Sequence, residues 1–470
     1  MIRKKYIVAI TLLAVFLFSG CATYYQQSFQ FQESFTNGNL EQAQAFLQHH
    51  KKASEKKDRL LYFLDRGVVE QMLGNYKESN FYFEEAYLFT QDYRKNFAND
   101  LVGMIANPML KPYQGEDFEI VLIHFYKTIN YIQLNEYDAA LVELRRVNVK
   151  LNELNDKYEK KKNRYKEDAF AHNLMGIIYE VKGDYNNAFI AYRNAYEVYQ
   201  SIYTSEFQLT PPKQLKIDLL RMASYNGFTQ ELKRYEDEFG MKYQDHASNT
   251  GDLIFFWLNG LGPVKSEFSL NLSTVNGQGG ALTFANEQEG FSIPYHESEY
   301  YHETKSSDFG DLKFVRMAIP KYKKREPLVN EAYLKVDGLN LPFEKAEDVS
   351  AIAISTLQDR MLREITKSIG RVALKQAAEL AAREQNEDLG SFVSILNAFT
   401  EKADTRNWQT LPHSIYYQRL TLPVDTHRIQ LVTKGQNIDT DTLSFKVNIE
   451  KNKTTFRTFH SLESTPPIEL

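Results

Sequence analysis

The 470-residue sequence predicts an α+β fold: an α-helical repeat solenoid, then a β-rich domain carrying one long amphipathic helix. Three observations predict it. A helix-pair pattern centred on Asp168–Tyr199 recurs twice upstream. Near Gly251 the apolar period changes from 3.6 residues to 2. Over residues 346–385 it returns to the helical period. A composition of 43% hydrophobic and 25% charged residues is that of a folded chain. The mean hydropathy of -0.48 argues against a multi-span membrane protein.

Residues 1–20 read as a signal peptide. Arg3, Lys4 and Lys5 form its positive end, and Ile7 to Phe18 an apolar run too short to span a bilayer. Phe18-Ser19-Gly20-Cys21 then resembles the lipobox of bacterial lipoproteins. The resemblance implies cleavage before Cys21, a diacyl anchor on its sulfur and acylation of the new amino end. Several acyl chains on one residue anchor stably where one does not. Ala22 follows the cysteine, and by the sorting pattern of such lipoproteins this implies the outer membrane, facing the periplasm. Cys21 is the only cysteine, so no internal disulfide can form. Loss of the three basic residues takes the formal net charge from -5 to −8, which argues against a nucleic-acid partner. Residues 21–37 are expected to be the lipidated cysteine and a tether.

Residues 38–245 carry the repeats. In the clearest copy, Gly176 allows close helix approach, Gly183-Asp184-Tyr185 makes the turn, and Ala188, Tyr192 and Ala195 line the second helix. Gly67, Gly74-Asn75-Tyr76, Phe83 and Ala86 repeat it, and Tyr131, Asn135-Glu136-Tyr137, Ala140 and Leu144 repeat it less fully. This is the pattern of tetratricopeptide (TPR-like) helix pairs. A half-repeat is expected at Asn39–Lys52, a last helical segment capping the stack at Leu215–Phe239, and insertions at 104–119 and 157–168, the second a solvated charged run. First helices of such pairs line a concave groove. The template places Leu64, Val68, Gln71, Phe125, Ile129, Ile132, Asn173, Ile177 and Glu180 there. An apolar groove of this kind takes a partner segment or the chain's own C-terminal half, and both readings stay open. Known clamps hold a terminal carboxylate with basic and Asn side chains; here only Asn173 is comparable.

Residues 246–345 are predicted to be β-rich, with strands at Asp252–Leu258, Ser266–Leu272, Leu312–Ile319 and Glu331–Val336. Asn286–Asp311 is polar and reads as a surface loop. In the helical segment 346–403, Ile354, Leu357, Met361, Ile365, Ile369 and Val372 form one apolar stripe. Arg360, Arg363, Lys367, Arg371 and Lys375 form a basic ridge opposite it, either a solvated face or a docking ridge for lipid headgroups or an acidic partner. Residues 404–470 complete the β domain with strands at Ser414–Leu422, His427–Thr433 and Thr442–Glu450. The tail to Leu470 is expected to be mobile.

The segments DLIFFWLNGLGPVK (252–265), FVRMAIPKY (314–322) and DTRNWQTLP (404–412) occur in that order around the basic helix. Together with Tyr113–Glu119, Asn130-Tyr131 and Glu143–Arg146, they resemble a family of bacterial outer-membrane lipoproteins. That family has N-terminal tetratricopeptide repeats and a C-terminal domain of unknown function. The resemblance implies a role in the cell envelope and assigns no chemistry.

No catalytic motif stands in the sequence: a Walker loop, HExxH and GxSxG are all missing. Gly277-Gln-Gly-Gly280 lacks the Lys-Ser/Thr ending of a phosphate loop. His296-Glu297 and His302-Glu303 offer zinc donors, but at a six-residue spacing that fits neither one helix face nor a compact site, so a polar loop is the better reading. No metal, cofactor or small-molecule substrate is expected. The expectation is a non-catalytic, lipid-anchored periplasmic scaffold that binds a cell-envelope protein through its repeats. The alternatives are a cell-wall enzyme or activator, or a subunit of an export or surface-assembly complex.

Overall fold

The computed structural model describes residues 29–55, 57–96, 109, 111–157, 163–245, 249–276, 282–286, 291–295, 314–361, 365, 402–435 and 439–468. The signal segment, Cys21, Gly277 to Gly280, His296, His302, Arg363, Lys367, Arg371 and Lys375 lie outside these residues.

The chain opens on helices α1 (Phe29–Thr36) and α2 (Leu40–His49), followed by three pairs: α3 (Arg59–Met72) with α4 (Tyr76–Asn96), α5 (Asp117–Gln133) with α6 (Tyr137–Lys157), and α7 (Ala169–Val181) with α8 (Tyr185–Val198). Each pair turns on a residue in the left-handed region: Gly74, Asn135 and Gly183, with φ of 80°, 60° and 75°. Glycine adopts this helix-ending conformation freely, and asparagine tolerates it better than most other residues. Close approach within the pairs has an equally local cause. A Cβ on Gly67 would meet the Phe83 ring at 2.6 Å, and the Tyr192 ring crowds Gly176 in the same way. The middle pair carries Thr128 and Leu144 at these two positions, a larger residue opposite a smaller one.

Three helical expectations are corrected. Residues 29–36 are a packed helix rather than a tether, because Phe31 and Phe35 are buried in the core. The expected capping segment is not one continuous run but a fourth pair, α9 (Lys213–Tyr225) and α10 (Thr229–Phe239), broken at Gly227 with φ 69°. In the charged insertion, Arg164 binds Asp359 (Nε to Oδ1 2.7 Å) and Tyr165 is buried, so this part is not a solvated face.

The strands are β1 (Thr250–Asn259), β2 (Val264–Asn276), β3 (Leu282–Asn286), β4 (Phe291–Tyr295), β5 (Phe314–Lys323), β6 (Val329–Val336), β7 (Leu339–Pro342), β8 (Glu344–Glu347), β9 (Ser414–Pro423), β10 (Thr426–Gly435), β11 (Asp441–Asn448) and β12 (Thr454–Ser461). They form sheets in the orders β12-β1-β9-β8, β11-β10-β6-β7 and β4-β3-β2-β5. Strand β4 occupies part of the expected surface loop. The expected mobile tail contains β12, which pairs parallel with β1 from Asp252↔Thr454 to Asn259↔Ser461. Beyond it, Ser464 and Ile468 bridge to Pro327 and Lys324. The short polar run KNKTTFRTFHS has little apolar alternation of its own, and the partner strand supplies its order.

Strand β1 explains the layering. Leu253, Phe255 and Trp257 point into one apolar cluster, shared with Leu334, Ile429, Leu431 and Val447 of the second sheet. Ile254, Phe256 and Leu258 point the other way, into the cluster that holds the helices. A strand covered on both faces carries a continuous rather than alternating apolar run, as DLIFFWL does. The first sheet therefore lies between the helical stack and the second sheet. Helix α11 (349–361) also joins the helical core through Ile352, Ala353 and Leu357.

Candidate partner-binding groove

The groove residues predicted from the repeats fall on α3, α5 and α7, and none of them faces open solvent. Leu64, Val68, Asn173 and Ile177 are fully buried, Ile129 and Ile132 nearly so, and Phe125 is 6% exposed. Gln71 donates to Asn130 Oδ1 at 2.9 Å, and Glu180 is held by two arginines. Of the two readings left open, a partner segment or the chain's own C-terminal half, the second describes these residues, and their place in an open partner groove is corrected to an internal one. The occupant is the first sheet: Phe170 lies 6.3 Å from Phe256 and 6.0 Å from Tyr417, ring centre to ring centre.

Charged groups cross this junction at several points. On β9, Arg419 reaches Glu180 at 2.9 and 3.2 Å and Asp252 at 2.8 Å. Arg221 of α9 meets the same carboxylate at 2.8 and 2.9 Å. Burial pushes the Glu180 carboxyl up, but Arg221 and Arg419 outweigh it and hold it at about 2. Near the entry to α5, Glu116 binds Lys265 at 2.6 Å and also pairs with Arg360. Burial again opposes ionisation, and Arg360 and Lys265 bring Glu116 down to about 2. Among the described residues, its neighbour Glu119 forms no ion pair. It accepts from the Trp408 backbone N–H at 2.6 Å, the Tyr113 hydroxyl at 2.6 Å and the Glu116 backbone N–H at 2.9 Å. Burial and the Glu116 charge push Glu119 up to about 7 despite these donors.

The arm between the helical segment and β9 completes the closure. Trp408 is buried 5.4 Å from Tyr126 and 5.9 Å from Phe83, ring to ring, and its indole N–H donates to Thr410 at 2.8 Å. Thr410 donates in turn to Asp65 at 2.9 Å, and Arg406 binds Asp58 at 2.8 Å. Across the far end, Tyr199 and Tyr203 donate to the Ala346 carbonyl and to Glu347. The Glu344 carboxylate receives the first N–H groups of α9, at 3.0 and 2.9 Å, where the helix dipole favours an anion.

Of the basic ridge, Arg360 is described, and it turns inward to Glu116 with its side chain 14% exposed. Its place on a docking ridge is corrected: it faces the fold, where pairing with Glu116 offsets the cost of taking its charge out of water. Among the described residues, no group of three or more His, Cys, Asp or Glu side chains could hold a metal ion. The sequence reading missed Asp58, Asp65, Glu116 and Glu119. Their signal was legible as charge placed in or beside first helices otherwise apolar on the packed face.

No protein-family profile and no curated protein matches the sequence. The lipoprotein-family resemblance therefore has no such match behind it. The helical region is similar to solved helical-repeat structures. MamA shares 13% identity over 45% of this chain and 86% of its own, with a TM-score of 0.30. The apo form of RapI shares 17% over 46% and 68%, with a TM-score of 0.34. BtubC from P. vanneervenii shares 14% over 47% and 83%, with a TM-score of 0.32.

Proposed function

We propose that this chain is a non-catalytic scaffold of the cell envelope, anchored through Cys21 and binding a protein partner on the outside of its repeat stack. One observation carries the reading most directly. The concave face, where such stacks commonly take ligands, is closed by the chain's own sheet through buried aromatic rings and ion pairs. Helices and sheet thus form one body, and protein recognition falls to the faces left exposed. The junction carboxylates Glu116 and Glu180 are committed to cations, which favours a structural role for them over proton transfer. The lipobox-like run before Cys21 supports the anchor, and Ala22 supports the outer membrane facing the periplasm as its place.

Two measurements test this. Cys21→Ala should move the protein to the soluble fraction or strand its precursor in the inner membrane; unchanged outer-membrane fractionation rejects the anchor. In-cell crosslinking of the tagged protein with mass spectrometry should join α4 and α6 to a defined envelope protein. Groove residues should crosslink only within the chain. Crosslinks from Ile132 or Ile177 to another protein would overturn the closed groove.

A further inference from the structure

The inner face of α4 is satisfied by the fold: Ser79, Phe83, Ala86 and Thr90 are all buried. Its outer face carries a second pattern. Glu78, Phe81, Glu85, Leu88 and Asp92 follow at spacings of three, four, three and four residues, which places them on one line along the helix. Phe81 is 54% exposed and Leu88 46%. Solvent exposure alone gives no reason for large apolar residues at heptad spacing interleaved with acids.

The pattern extends along the stack. Counted from the turn, Phe81 of α4, Val142 of α6 and Ile190 of α8 hold the same repeat position, and all three are exposed. Leu88 and Val149 share the position seven residues on, and both are exposed as well. Successive pairs in a solenoid present equivalent positions on one side. The side opposite the closed groove therefore carries an apolar line, and on α4 that line is bordered by acids.

We propose that this outer seam is a docking site for an amphipathic helix whose apolar residues alternate with Lys or Arg at the same three-four spacing. The proposal deepens the scaffold reading and rests on it, naming the class of partner segment. Heptad spacing selects a helix, since a strand's side chains repeat every two residues. Phe81 and Leu88 set the apolar contacts. Glu78, Glu85 and Asp92 set the charge, which a basic partner complements and an acidic one does not. A second copy of the same seam would bring like charges together, and the chain's net charge of -5 adds to that repulsion.

The test uses the full chain and a fluorescein-labelled peptide of about 21 residues, three heptads with Leu and Lys alternating at the seam positions. A twin peptide carries Glu in place of Lys. Anisotropy should show saturable binding of the Lys peptide. Binding should weaken by about tenfold or more in F81S/L88S, as removal of central apolar anchors does. The E78K/E85K/D92K variant should lose the Lys peptide and gain the Glu twin. Circular dichroism and Tm of both variants should match the parent, since the substituted side chains lie outside the core. No binding of the Lys peptide, equal binding by the parent and F81S/L88S, or equal binding of the two peptides overturns the proposal. So does a dimer that F81S/L88S dissolves, which would assign the seam to self-association. If the peptide fails while in-cell crosslinks join another exposed face to an envelope protein, the scaffold reading stands without this seam.

Discussion

Arg419 and Glu180 meet as a two-pronged ion pair, one from a strand of the first sheet and one from the end of α7, 239 residues apart in sequence. The pair closes the groove at the third repeat, where Arg221 takes the same carboxylate from α9. Asp218 lies within reach of both guanidinium groups and Asp252 of that of Arg419, so the charges are matched in several directions. Removing one member of such a buried set leaves its partners uncompensated, which costs far more than the net worth of the pair.

Arg419→Ala should therefore destabilise the protein by about 3–5 kcal/mol. Glu180→Gln should also destabilise, since one amide oxygen still accepts while the amide NH2 faces donors of Arg221, Arg419 and Tyr192 and the carboxylate charge is lost. Urea unfolding of both single variants and the double variant checks this. Effects that add to within about 0.5 kcal/mol would show that the two residues do not act as one unit.

Gly176 tests the packing inside a pair. Gly176→Ala places a methyl group against the Tyr192 ring and should cost about 1–3 kcal/mol through overpacking. The middle pair tolerates Thr128 where Leu144 stands at the ring position. Adding Tyr192→Leu should therefore recover part of the loss in thermal unfolding. No recovery would mean that the strain lies elsewhere, for the Tyr192 hydroxyl also binds Glu180 at 2.7 Å.

The two glutamates at the start of α5 predict opposite pH dependences. Glu119 is raised from the usual 4.5 to about 7, so its contribution is full below about 4.5 and is lost as pH rises through about 7. Glu116 is lowered to about 2, so its contribution is present above about 4.5 and is lost as pH falls toward 2. Glu119→Gln should flatten the fall in Tm between about pH 4.5 and 7, and Glu116→Gln the fall on the acid side, from about 4.5 toward 2. Exchange of these two effects would refute the assignment.

The sequence by itself determined the helix pairs, their turns and the positions of most strands, because each rests on local chemistry. Gly74 and Gly183 supply a backbone conformation that other residues resist, Gly67 and Gly176 make room for a ring, and DLIFFWL has no polar face to offer water. The outer line of Phe81, Val142 and Ile190 was also present in the repeat pattern, but only exposure distinguishes it from core. Tertiary structure alone decided what fills the groove. An apolar concave face has the same sequence whether it meets a partner or its own chain. The closing contacts join residues as distant as Asp58 and Arg406, or Glu119 and Trp408. Strand β12 was hidden for the same reason: its order comes from pairing with β1, some 200 residues earlier, as in the Trp257 to Ser461 bond at 2.8 Å. Buried charge completes the contrast. Arg360 in sequence reads as one side of a basic ridge, and only the fold sets it beside Glu116, where the pairing offsets the cost of burying both charges.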